Sequence, residues 1–187
     1  MGWTSYHATH YKPNGSVDRK AEMDSYFTWT EENKKVSVLK STMKGRVYYA
    51  AVKVESETEN TVIGMTALTC GQDPTDPYFN FGCKTISEDM GPNESHCPKS
   101  ILALLSPTEN EYALAWRERC KKNAEKTPLS KLPVGTIIQF TDWNGNEIVL
   151  KKLAPAYQFK RNWWWRVGTN NYFSTKNIPD DWEIKEA

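Results

Sequence analysis

The sequence predicts an α+β protein in two parts: an N-terminal antiparallel sheet with helices over residues 1–126, and a small SH3-like β-barrel over residues 133–187. A linker at 127–132, holding Pro128, would join them. Three observations carry this. Apolar runs rich in β-branched and aromatic residues lie between residues 35 and 83, with short polar connections that favour antiparallel pairing. Helical spacing is confined to two stretches, near 18–29 and 98–122. Past Pro133 the texture changes to five short strands, a spacing that suggests a compact barrel. A hydrophobic content of 39% with 12% aromatics is enough for packed cores and argues against disorder.

The elements follow in order. Residues 2–11 alternate as a strand would, with Trp3, Ser5, His7 and Thr9 on one face and Thr4, Tyr6, Ala8 and His10 on the other. Lys12-Pro13-Asn14-Gly15 is a turn, because Pro fixes φ and Asn-Gly tolerates positive φ. Asp18 can cap a helix whose stripe is Met23, Tyr26 and Phe27, running to about Trp29. Short strands are expected at 36–39, 47–54, 61–69 and 78–83, with Val62, Met65 and Leu68 buried in the third. Pro98 can open a helix through Ile101 and Leu105. Ser106-Pro107-Thr108-Glu109 reads as a capping box, with Ser106 as the cap. The helix behind it would put Tyr112, Trp116 and Cys120 on one face. In the last part, 136–141 and 147–153 form a hairpin around Asn144-Gly145, followed by strands at 159–167, 172–175 and 182–184.

For function, residues 148–179 are the most informative stretch. They contain no acid, yet carry Lys151, Lys152, Lys160, Arg161, Arg166 and Lys176 among Tyr157, Phe159, Trp163, Trp164, Trp165, Tyr172 and Phe173. Cations interleaved with rings suit an anion with π faces, a nucleotide or a nucleic acid. The net charge is only +1, from 24 basic and 23 acidic residues, so any anion site is local. If 159–167 is one strand, Trp163 and Trp165 share the more apolar face and become core. Trp164 is then exposed between Lys160 and Arg166 as a stacking platform, with Tyr157 beside them. The competing structural reading is that these rings are simply barrel core, or that Trp164 anchors a domain interface.

His7, His10, Arg19 and Glu22 form a second constellation. General acid–base work on a phosphodiester is one reading, but His7 and His10 would point to opposite faces and Arg19 and Glu22 can pair on the helix surface. Ligand binding by His7 and Arg19 asks for less exact geometry. Cys70, Cys83, Cys97 and Cys120 lack C-x-x-C spacing, which points to free buried thiols rather than a zinc or redox site. A loose set of Cys70, Cys83, His96 and Cys97, or a Cys97–His96 nucleophile, fits poorly. No Gly-rich phosphate loop or G-x-S-x-G elbow is present, and no resident cofactor is expected. Neither a signal peptide nor a membrane span is expected.

The opening Met1-Gly2-Trp3-Thr4-Ser5-Tyr6-His7-Ala8 and Asp18-Arg19-Lys20-Ala21-Glu22 carry a resemblance, together with the 47–52 run, the Gly91-Pro92 to Cys97-Pro98 stretch and Leu104-Leu105-Ser106-Pro107. Over about residues 1–125 the chain resembles an uncharacterised family of small proteins encoded on phages and integrative mobile elements of Firmicutes. The resemblance implies a viral or mobile-element protein in a bacterial cytoplasm and brings no catalytic residue with it. The favoured expectation is a non-catalytic accessory protein that binds a nucleotide or nucleic acid, in one form sequestering a host immune signal. The alternatives are a small phosphodiesterase or nuclease using His7 and His10, and an anti-defence inhibitor that binds a host protein. Self-association into a homo-oligomer is compatible with all three.

Overall fold

The computed structural model describes residues 2–71, 79–142, 144–155, 163–179 and 182–186. The protein is mixed α+β, mostly strand, and divides into two compact units, Met1–Ala124 and Glu125–Ala187.

The first unit is built on an antiparallel sheet of β1 (Thr4–Tyr6), β2 (Trp29–Glu31), β3 (Lys34–Lys44), β4 (Val47–Ser56), β5 (Asn60–Gly71) and β6 (Phe81–Ser87), in the order β1-β6-β5-β4-β3-β2. The central strand β4 reads apolar without alternation because both of its faces are covered. Tyr48, Ala50, Val52 and Val54 face one core with Met23 and Phe27 of α1 (Arg19–Tyr26). Tyr49 and Ala51 face the other, with Ile101 of α2 (Lys99–Leu102) and Trp116 and Cys120 of α3 (Glu111–Glu125). In β3, Val38 pairs with Val52 and Lys40 with Ala51, so Leu39 is a bulged extra residue and is exposed.

Local signals explain the joints. Asp18 caps α1, its carboxylate accepting from the amides of Lys20 and Ala21. The Lys12–Ser16 turn closes through Gly15 N to Lys12 O and Lys12 N to Ser16 O, with Gly15 at φ +80°, a hairpin with a glycine bulge. The expected strand from 2 to 11 is only β1, so His7 and His10 lie beyond it; the chain turns inward at Ala8, whose amide donates to buried Asn80. Helix α1 stops at Tyr26, and Trp29 starts a strand.

Ser106 does not cap α3. Its Oγ accepts from Val62 N and its amide donates to Val62 O, both at 2.9 Å. The reason lies in the sheet: β6 ends opposite Met65, leaving the backbone of β5 unpaired on that side. Ser106 satisfies Val62, and Glu88 accepts from Gly64 N. The cap of α3 is Asn110, whose side chain accepts from Ala113 N. Glu88 is buried and takes a two-bond clamp from Arg117, at 2.6 and 2.8 Å, which ties α3 to the sheet. Gly64 is needed beneath that helix, since a Cβ there would stand 2.8 Å from Trp116 Cζ3. Tyr112, expected beside Trp116, is 66% exposed, and Ala113 takes the buried place.

The second unit holds a five-stranded antiparallel sheet of β7 (Ile137–Thr141), β8 (Glu147–Lys152), β9 (Trp163–Arg166), β10 (Tyr172–Ser174) and β11 (Glu183–Glu186), ordered β10-β9-β8-β7-β11. One face holds the core: Ile138, Phe140, Ile148, Leu150, Trp164, Ile178 and Trp182. The stretch expected as a free linker packs into this unit. Leu132 is buried with the core and Leu129 lies against it. Lys152 explains why: its buried ammonium donates to the carbonyls of Leu129, Ser130 and Leu132 at 3.0, 2.9 and 2.6 Å.

Candidate functional site

The basic-aromatic stretch comes out with its parity inverted. Trp164 is 0% exposed, its ring in the core and its Nε1 donating to Thr175 Oγ1. It cannot be a stacking platform. Trp163 and Trp165 are half-buried on the other face. Cross-strand register decides this. Trp164 sits opposite Lys152 on β8 and Phe173 on β10, on the face carrying Ile148 and Leu150. Alternation within 159–167 alone sets Trp163 and Trp165 against Trp164 but says nothing of the neighbouring strand, where Lys152 lies on the core side opposite Trp164. Here the Lys152 ammonium stays inside, satisfied by carbonyls and 6.0 Å from the Trp164 ring centre. Desolvation by burial holds its pKa below the ordinary lysine value.

The outward face consequently carries a different row. Lys151, Trp165 and Tyr172 are directly opposed across β8, β9 and β10. Lys151 and Tyr172 are exposed, and Trp163 lies two residues from Trp165 on the same face. Trp165 Nε1 donates to Thr169 O at 2.6 Å, which fixes the indole. Arg166 stands opposite Leu150, on the parity of the core rather than of this row, and its charge helps Asp142. Asp142 is held below the ordinary carboxylate range first by the Asn146 amide, with Arg166 as a smaller contribution. Tyr157 and Lys160 lie outside the described residues.

In the first unit, Arg19 opens α1 and lines a groove of about 670 Å³ together with Lys12, Lys20 and Asp18. The hairpin bridge between Tyr11 and Val17 brings Lys12 to Arg19. Lys12 was missed in the sequence; the signal was a turn bracketed by cations. His7 is exposed beyond β1. Glu22 is not Arg19's surface partner. It is 2% exposed, and its Oε1 accepts from the amides of Thr9 and His10 and lies 3.1 Å from His10 Nδ1. Glu22 therefore fixes the chain after β1 and orients one histidine.

The four cysteines are free thiols. Burial pushes Cys83 and Cys120 up to about 11 and Cys97 higher still, which makes them poor nucleophiles at neutral pH. Among the described residues no group of three His, Cys, Asp or Glu side chains could hold a metal ion, and no helix is long and apolar enough to cross a membrane.

Comparison with known proteins adds one partial likeness. Residues 107–143 match a domain of unknown function (DUF6927), a span that includes α3 and β7. No curated protein and no solved structure matches the chain.

Proposed function

We propose that this protein is a non-catalytic binder of a nucleotide or nucleic acid, and that the outward face of the second unit carries single-stranded nucleic acid. The row Lys151–Trp165–Tyr172 is the observation behind it: a cation, a pinned indole and an exposed phenol on adjacent strands. Stacking on such rings is worth about 1–3 kcal/mol per base and tolerates any sequence, while the ammonium meets phosphate. The strand order β10-β9-β8-β7-β11, a meander whose last strand returns beside the first, supports reading this unit as an SH3-like barrel. A mobile-element accessory role in a bacterial cytoplasm, including sequestration of a nucleotide immune signal, is the biological form of this reading. A host protein or a second copy of the chain remains a partner class for the same aromatic face.

Fluorescence titration with short DNA and RNA oligonucleotides tests it. Trp165→Ala and Lys151→Ala should weaken binding, the second more at low salt than at high salt. If the parent protein binds no oligonucleotide, or the variants bind as it does, the reading fails. One contact favours the enzyme alternative, the buried Glu22 carboxylate on His10 Nδ1 at 3.1 Å, an arrangement that leaves Nε2 for proton transfer. Metal-independent cleavage of a phosphodiester that is lost in His10→Ala would establish it in place of simple binding.

A further inference from the structure

We propose that the groove at the start of α1 is a second, separate site, which binds a phosphorylated small molecule of nucleotide size. Its charge is one-sided. Lys12, Arg19 and Lys20 line it, and among the described residues of the lining the one acid, Asp18, is already committed to the amides of Lys20 and Ala21. Lys20 is paired with Asp24 at 2.6 Å, whereas Lys12 and Arg19 have no carboxylate partner among the described residues. Two like charges converging on one concavity repel each other, and a bound phosphoryl group relieves that repulsion. Its several oxygens can take the planar Arg19 fork and the Lys12 ammonium together.

The shape agrees with the charge. The volume, about 670 Å³, falls within the range of small-molecule sites. Glycines keep the walls low. At Gly15 and Gly45 a Cβ would meet nothing within 4 Å, so the backbone is open to close approach. At Gly71 a Cβ would stand 3.0 Å from Arg19 Nη2, so a side chain there would push the guanidinium aside by a few tenths of an ångström. Val17 and Met43 add an apolar side against which a flat ring can lie. No residue is shared with the Lys151–Trp165–Tyr172 row, so the two sites stand or fall independently.

The test is calorimetric titration of the full chain with AMP, ATP, pyrophosphate, citrate and adenosine at low and high salt. The phosphorylated probes should bind, more weakly at high salt, while adenosine and citrate should not. Lys12→Ala and Arg19→Ala should each weaken binding about tenfold or more, the loss expected for one charged hydrogen bond. Arg19→Lys should restore part of it, since it keeps the charge and loses the fork. Trp165→Ala should leave it unchanged. Binding of none of the phosphorylated probes, citrate binding as well as ATP, or Lys12 and Arg19 variants that bind like the parent would overturn the proposal. Loss of oligonucleotide binding in Trp165→Ala with intact nucleotide binding would show that only the other site had been struck.

Discussion

The run from Val47 to Val54 and the run from Trp163 to Trp165 look alike as sequence, and the molecule treats them differently. In β4 adjacent residues enter two cores: Tyr48 packs with α1 and Tyr49 with α2 and α3, and both are buried. In β9 only Trp164 enters a core, and its neighbours stay half-buried on a face that also carries exposed Lys151 and Tyr172. An unbroken apolar run such as residues 47–52 therefore reports that both faces of a strand are tolerant of burial. Whether a second layer covers the other face depends on helices elsewhere in the chain.

The sharpest way to break this comparison is truncation of neighbouring pairs. Tyr48→Ala and Tyr49→Ala should both destabilise the first unit, and Trp164→Ala the second, by about 3–5 kcal/mol each, as for buried aromatics generally. Trp165→Ala should cost about 1 kcal/mol or less, the range for a substitution outside the core. Thermal melts of the four variants decide it; equal losses at Trp164 and Trp165 would mean that both faces of β9 are core.

A second prediction concerns what holds the extra layer in place. Arg117→Ala strips the clamp from Glu88 and leaves a buried carboxylate unpaired, a change that typically costs about 3–5 kcal/mol. Denaturant unfolding should show it, and replacing Glu88 and Arg117 together by apolar residues should recover part of the loss. A neutral Arg117→Ala would mean that α3 is held by Trp116 and its neighbours alone.

The smallest effect should appear on the opposite layer, at Asp24. Burial alone would raise its pKa, but hydrogen bonds from Lys20, Ser41 and Tyr48 outweigh it and hold the group below the ordinary carboxylate value. A depressed folded pKa contributes stability that is present above the unfolded value and is lost as pH falls through the folded one. Stability should therefore decline below about pH 4, the unfolded carboxyl range, and Asp24→Asn should be less stable near neutrality with a flatter acid limb. An identical acid limb in the variant would remove Asp24 from the account.

The sequence by itself determined most local structure, because those signals act within a few residues. The Asp18 cap, the Lys12–Gly15 turn, the β4 run and the Trp116–Cys120 stripe of α3 are all where spacing puts them. Only the tertiary structure decided which face of a strand is inside, because a single strand's alternation has two solutions and its neighbours choose between them. Register against Leu150, Lys152 and Phe173 turned Trp164 inward and left Trp165 to form the outward row. The same holds for Ser106, a sound cap in sequence that instead satisfies Val62 because β6 is too short to reach it. It holds for Glu22, a surface partner by spacing that is buried because the chain after β1 folds back over α1 and needs its two amides satisfied.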